Sequence, residues 1–494
     1  MIDGQIRKLA GALLVLFLAL FAQINYVQVF AADELANDSA NAKRQTIAEY
    51  AIDRGSIVAA DERTILATSR RTSGELKYQR RYPQGPLYAT VTGFYSFVYG
   101  KTGLENSYDG YLTGDAPELL AQTLADQILG RPRRGGTVVS TIDPEIQRAA
   151  ASALGSQPGA VVAIEPSTGY VRALYANPTY DPNELSSQDE QAVRTAWERL
   201  NEDPDKPLVS RAVAELFPPG STFKVVTAAT ALESGRGPDS TWPNPNELDL
   251  PDTTATIENF GGSTCPGGSR ITLAQALTVS CNVVFGEVGL AVGPDRLAEQ
   301  AHSFGFRPDD STNPIPFDIR FEEGIFPDPS YFADRAPAVA ISAIGQDQVS
   351  ANPMQMALVA SAVGNRGVLM QPRLVQEIRD QNGQVVRILD PEEWGRPMSA
   401  QSAAQLTAMM VSVVDNGTGG GAQIPGIQVA GKTGTAQHGE GEDPHAWFVC
   451  FAPAQNPEIA VAVVVLNGGD LGSEATGGAL AAPIARAVVE AALR

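Results

Sequence analysis

Ser221-Thr222-Phe223-Lys224 sets a hydroxyl and an amine three residues apart. On a helix, positions i and i+3 share a face, so the two groups can meet. A neutral lysine can take a serine proton, and burial lowers a lysine pKa enough to allow it. A helix N-terminus adds positive potential where an oxyanion would form. Alone, the pattern more often marks a solvated helix face. Two features favour chemistry. Of the seven lysines, at 8, 43, 77, 101, 206, 224 and 432, only Lys224 has a serine three residues before it. Pro218-Pro219-Gly220 also fixes a turn that presents Ser221.

Ser280-Cys281-Asn282 offers a second hydroxyl and a carboxamide two residues apart. In a cleft the hydroxyl can relay a proton, and the carboxamide can hold a substrate amide as donor and acceptor together. The plainer alternative is a helix cap beside a satisfied core asparagine. Gly431-Lys432-Thr433-Gly434-Thr435 follows an apolar strand, Ile427 to Ala430. On a strand, Lys432 and Gly434 share one face and Thr433 and Thr435 the other. A lysine and hydroxyls can bind a carboxylate, an edge-strand N–H can face an oxyanion, and Gly434 would admit a substrate backbone. The plainer alternative is a hairpin edge carrying a solubilising lysine.

The elements around these motifs suggest one large domain. Gly159 to Ala176 reads as a hairpin about a Pro-Ser-Thr-Gly turn. Ser221 to Gly235 reads as a helix with Ser221 as N-cap and Gly235 as stop. Ile271 to Leu290 reads as a helix pair, and Met354 to Val363 as a buried helix. Ile427 to Ala436, His445 to Ala454 and Glu458 to Gly468 read as three strands, and Gly478 to Leu493 as a closing helix. Such an order predicts a mixed α/β fold with a sheet covered by helices.

Near the N-terminus, Leu9 to Phe30 is a long apolar run preceded by Arg7 and Lys8 and followed by Asp33, Glu34 and Asp38. As a helix of 22 residues it would reach about 33 Å, enough for a bilayer core. The charge bias puts the N-terminus in the cytoplasm and the rest outside. The alternative is a cleavable signal peptide ending at Val29-Phe30-Ala31.

Composition narrows the partners. The 494 residues carry a net charge of -20, which argues against nucleic acid. Three cysteines exclude a disulfide-built scaffold, and His302, His438 and His445 are too scattered for a metal centre, so no metal and no cofactor is expected. Export permits a disulfide, and Cys265 with Cys281 is the expected pair. It would close a loop of about 16 residues, contribute about 3 kcal/mol and brace Ser280 and Asn282. Two free thiols are the alternative. Cys450 reads as a buried filler in an apolar strand. His438 and His445 flank Gly439 to Pro444, read as a mobile tip, with Trp447 and Phe448 read as core aromatics.

Taken together and in this order, Ser-x-x-Lys, Ser-x-Asn and Lys-Thr-Gly define the site of penicillin-binding proteins and β-lactamases. The chain resembles class B penicillin-binding proteins, membrane-anchored D,D-transpeptidases of peptidoglycan synthesis, and looks closest to smaller actinobacterial members. Arg54-Gly55-Ser56-Ile57, Gly103-Leu104-Glu105, Tyr108-Asp109 and Thr141-Ile142-Asp143 with Gln147 match the N-terminal part of that family. Pro218 to Lys224, Ile344-Gly345-Gln346 and Pro353-Met354-Gln355-Met356 match its catalytic part. Asp61-Glu62-Arg63-Thr64 departs from the usual Asp-Arg-x-Gly turn.

The resemblance implies an anchor at 1–30, an α+β pedestal at 31–153 and a transpeptidase domain at 154–494, built on an antiparallel sheet covered by helices. It implies Ser221 as acylated nucleophile, Lys224 as its base and Ser280 as proton donor to the leaving D-alanine. Asn282 would hold the donor amide, Lys432 would complete the electrostatics, and Thr433 and Thr435 would bind the terminal carboxylate. Backbone N–H groups of Ser221 and Thr435 would form the oxyanion hole. Implied partners are D-Ala-D-Ala stem peptides, an acceptor amine, β-lactams and a separate membrane glycosyltransferase. Two rivals are a serine β-lactamase, for which Glu322 or Glu323 would have to hold a deacylating water, and a non-catalytic cell-wall scaffold.

Overall fold

The computed structural model describes residues 2–29, 46–120, 122, 126, 128–130, 133–308, 314–439 and 441–494. Helix α1, Ile2–Val29, contains a 24-residue segment, Gly4–Val27, with mean hydropathy 2.0 and none of its surface buried by protein. At 1.5 Å per residue such a segment can cross a bilayer core. Arg7 and Lys8 lie within this helix rather than ahead of it, because nothing in Ile2–Ala10 breaks helical geometry. Phe30 and Ala31 of the alternative cleavage site, and Asp33, Glu34 and Asp38, lie outside the described residues.

Strands β1 (Ile57–Val58), β2 (Ile65–Arg71), β3 (Tyr78–Arg81) and β4 (Thr137–Ser140) begin a first sheet. Helix α2, Pro144–Leu154, capped by the Asp143 carboxylate, leads into the hairpin β5 (Gly159–Ile164) and β6 (Val171–Asn177). Then come helices α3 (Lys224–Glu233), α4 (Leu273–Thr278), α5 (Asn282–Val292) and α6 (Pro353–Gly364). Strands β7 (Val375–Arg379) and β8 (Val385–Ile388) return to the first sheet, whose order is β8-β7-β4-β1-β2-β3. The unit built on this sheet is therefore discontinuous in sequence: two of its strands come from beyond residue 154. Helix α7, Ala400–Asn416, precedes strands β9 (Ala430–Ala436), β10 (His445–Ala452) and β11 (Ile459–Val465), and α8 (Ala482–Ala492) follows.

The second sheet has order β9-β10-β11-β5-β6 and is antiparallel throughout. Its strands are buried on both faces, so they read as apolar runs instead of alternating. Val161, Ala163, Phe448, Cys450, Val461 and Val463 pack under α2 and α8. Ala160, Val162, Val449, Phe451, Ala462 and Val464 pack under α6. Every residue from Pro353 to Val363 in α6 is buried, as expected of a helix apolar all round. Trp447 and Phe448 are fully buried core, and Cys450 is a buried free thiol.

The first sheet carries an ion cluster. Arg54 Nε reaches Glu105 Oε2 at 2.7 Å, Arg80 Nε reaches Glu105 Oε1 at 2.5 Å, and Arg54 Nη1 reaches Asp109 at 2.6 Å. Burial alone would raise the Glu105 carboxyl, but the two guanidiniums outweigh it and hold it below the usual range. Glu105→Ala would leave the buried Arg80 without its carboxylate and Arg54 with Asp109 alone, so we expect a loss of about 3 kcal/mol in chemical denaturation. A change within about 0.5 kcal/mol would refute this assignment.

Candidate active site

The turn bearing Ser221 is clamped from both sides. Phe217 and Ala351 exchange backbone hydrogen bonds at 2.9 and 2.8 Å, and Gly220 N–H donates to Gly345 O at 2.9 Å. Gly220 takes φ +51, and a Cβ there would sit 2.9 Å from Thr435 O on the edge strand β9. Gly345 takes φ +78, and a Cβ there would sit 2.1 Å from Gly220 O. Only glycine allows both the left-handed turn and this approach. Gly345→Ala should shift the nucleophile turn and lower β-lactam acylation about 10²-fold in stopped-flow measurements; an unchanged rate would show that the clamp is dispensable.

The expected N-cap role of Ser221 does not hold. Ser221 does not cap an α-helix. It lies within a 3₁₀ turn, Gly220–Phe223, and α3 starts at Lys224. Thr222 Oγ1 donates to Pro219 O at 2.7 Å and closes that turn instead. The half-buried Ser221 hydroxyl consequently keeps no hydrogen-bond partner among the described residues. Below it, Phe223 stacks on Phe326 at 5.5 Å and meets Phe306 edge-on at 5.3 Å, and Thr227 Oγ1 bonds Ala343 O at 2.7 Å.

Ser280 links α4 to α5 with φ +60, a left-handed conformation unusual for serine. This aims its carbonyl at Lys224, whose Nζ donates to Ser280 O at 2.7 Å and Asn282 Oδ1 at 2.6 Å, with Ser280 Oγ at 3.5 Å. Lys432 Nζ donates to the same Ser280 Oγ at 2.8 Å and to Thr433 O at 2.8 Å. The Ser280 hydroxyl thus sits between two lysine nitrogens whose side chains are both fully buried. Burial, and then the charge of Lys432, push the Lys224 amine far below its usual range. Burial brings Lys432 down to about 7. No carboxylate bonds either lysine among the described residues, so both remain available to titrate.

Asn282 is more committed than the sequence suggested. Its Oδ1 accepts from Lys224, and its Nδ2 donates to Glu258 O at 3.0 Å. Gly434 also differs from expectation. A Cβ there would meet Thr222 Cγ2 at 2.9 Å and Pro219 O at 3.0 Å, so its open space is filled by the nucleophile turn and not left for substrate. Thr433 is nearly buried, and its Oγ1 shares a 2.6 Å hydrogen bond with the exposed Thr418, while Thr435 is half-exposed. Sequence reasoning passed over Thr418. The run Gly417 to Gly421 reads only as a loop, and its closeness to Thr433 comes from the path between α7 and β9.

Cys265 and Cys281 are joined, with Sγ atoms 2.08 Å apart and Cα atoms 5.9 Å apart. His438 and His445 stack with ring centroids 3.8 Å apart, and His445 Nδ1 accepts from Asn467 N–H at 3.2 Å. Burial, then His438, lowers His445 to about 3, so it stays neutral. Glu440, in the tip between them, lies outside the described residues. Glu322 pairs with Arg307 and Arg320, and Glu323 accepts the Ile315 N–H, so neither bonds a residue of the Ser221 cluster.

Residues 159–490 match the family described as penicillin binding protein transpeptidase domain, and residues 54–138 match the penicillin binding protein A dimerisation domain. The chain is 44% identical to peptidoglycan D,D-transpeptidase PbpA of Mycolicibacterium smegmatis, covering 100% of this chain and 99% of that one. It is 40% identical to the PbpA of Mycobacterium tuberculosis over the same shares. The structure of penicillin-binding protein A from M. tuberculosis as a ceftriaxone acyl-enzyme superposes with TM-score 0.85 at 41% identity, covering 91% of this chain and 100% of that one.

Proposed function

The chain belongs to the penicillin-binding protein transpeptidases, and from that premise we propose how it works as a peptidoglycan D,D-transpeptidase acylated by β-lactams. The observation that carries the reading is the Ser280 hydroxyl held between Lys432 and Lys224, with Lys224 directly following a turn whose Ser221 hydroxyl has no hydrogen-bond partner among the described residues.

Ser221 Oγ attacks the penultimate D-alanine carbonyl of the donor stem. Its proton passes to Lys224. A neutral amine has two N–H groups and one lone pair; both N–H groups are spent on Ser280 O and Asn282 Oδ1, which leaves the lone pair for that proton. The oxyanion is received by the N–H groups of Ser221 and Thr435. Two facts support this: Ser221 N–H has no backbone partner in its turn, and β9 is an edge strand. The C–N bond breaks, and Ser280 passes a proton to the departing D-alanine amine. Lys432 supplies the positive charge beside Ser280, and Thr433 and Thr435 take the substrate carboxylate. An acceptor amine then attacks the acyl-enzyme and frees Ser221. A β-lactam acylates in the same way, but its leaving nitrogen stays tethered in the adduct.

The same reading assigns 1–30 to a single anchor with a cytoplasmic N-terminus, 31–153 to a pedestal completed by β7 and β8, and 154–494 to the extracytoplasmic catalytic domain. A membrane glycosyltransferase is the partner that would supply glycan strands, testable by co-purification of the full chain from detergent. Incubation of the enzyme with a D-Ala-D-Ala stem peptide and an amine tests the activity. We expect free D-alanine and a cross-linked product by mass spectrometry. Multiple turnovers of penicillin within minutes would instead identify a β-lactamase.

A further inference from the structure

Helix α5 begins at Asn282, and its own N-cap residue, Cys281, offers no side-chain hydrogen bond. The first N–H groups of a helix need acceptors from elsewhere. Here one distant side chain supplies them. Asn259 Oδ1 accepts from Asn282 N–H at 2.9 Å and from Val283 N–H at 3.1 Å. Asn259 is 8% exposed, and its Nδ2 donates to Ser263 O at 3.0 Å. Its neighbour Glu258 supplies the carbonyl that holds Asn282 Nδ2. The segment 258–268 therefore grips both the backbone and the side chain of Asn282.

The other end of that segment is fixed independently. Cys265 is bonded to Cys281, and Asn244, 3% exposed, donates to Cys265 O at 2.6 Å and Gly268 O at 2.8 Å. Ser280, one residue before Cys281, holds a left-handed φ that nothing in its side chain favours. Its carbonyl and hydroxyl set the positions of both lysines.

We propose that Asn259 is a positioning residue for acylation: by capping α5 from outside the helix it holds Ser280 and Asn282 where Lys224 and Lys432 need them. The proposal rests on the reading of Ser221 as the acylated residue. Asn259→Ala removes the cap. Asn259→Asp keeps an acceptor for both N–H groups and adds a favourable charge at the helix N-terminus, which offsets the loss of the Nδ2 donor to Ser263 O. Acylation by a fluorescent penicillin is measured on the full chain, alongside thermal melting. Asn259→Ala should acylate about tenfold more slowly than the native chain, in line with the loss of a cap. Asn259→Asp should come within about threefold of native. Because Cys265–Cys281 is a second tether, mild reduction should slow Asn259→Ala further while changing the native rate little.

Equal rates for native and Asn259→Ala would overturn the proposal, as would equal losses in the Ala and Asp variants. If Asn259→Ala does not fold, the Asp variant decides: native-like acylation supports the cap, and a tenfold loss overturns it. A native chain that takes no label would reject the Ser221 reading itself, which is a separate outcome.

Discussion

Ser221→Ala should eliminate stable labelling by fluorescent penicillin, with an acylation rate constant at least about 10⁴-fold below native. The expected loss is this large because no other group takes the hydroxyl's place. Thr222 is tied to Pro219 O, and the Ser280 hydroxyl is held by two lysines. The fold should survive, since the Ser221 hydroxyl makes no hydrogen bond among the described residues and its loss leaves no buried group unsatisfied. Native-like melting with no label would therefore separate a lost nucleophile from a lost structure. Unchanged labelling would move the nucleophile elsewhere.

The second large effect concerns the two lysines and pH. The working state has Lys224 neutral and Lys432 charged. Lys432 lies at about 7 because it is buried, and Lys224 is lowered further by burial and by Lys432. Acylation should then be bell-shaped in pH. It falls on the acid side as Lys224 gains a proton, and falls above about 7 as Lys432 loses one. Lys224→Ala should cost about 10³-fold in acylation, and Lys432→Met a comparable loss together with its alkaline limb.

Stability runs the other way. Between the folded pKa values and the unfolded value near 10.4, the unfolded chain binds more protons, so stability rises with pH. At pH 7 an apolar residue in place of either buried lysine relieves this penalty. Lys432→Met should consequently melt higher than native at pH 7, with the gap closing as pH approaches about 10.5. A lower melting temperature at pH 7, or an acylation profile flat to pH 9, would contradict the charge assignment.

The site was legible in the sequence to the extent that side-chain type and spacing encode it. The three motifs come together around Ser280, and the strands at 159–176 and 430–465 and the helix at 353–364 lie where their apolar patterns put them. What was not legible depends on backbone conformation. Ser221 has a good capping side chain, yet Gly220 at φ +51 tightens the chain into a 3₁₀ turn. Gly434 looked like room for substrate, and only the fold reveals that Thr222 and Pro219 occupy that room. Asn259 and Thr418 carry no motif; each matters because a loop returns to the site, and single-sequence patterns do not specify such returns. The same holds for β7 and β8, which leave the catalytic part of the chain to complete the first sheet.

Acylation places the ester bond on Ser221 Oγ. Intact-protein mass spectrometry after treatment with penicillin, followed by peptide mapping, tests it most directly. One adduct of the intact drug mass, persisting for hours and confined to the peptide that contains Ser221, is the predicted result. An adduct on Ser280 or any other side chain, or hydrolysed drug accumulating over an unmodified chain, would contradict it.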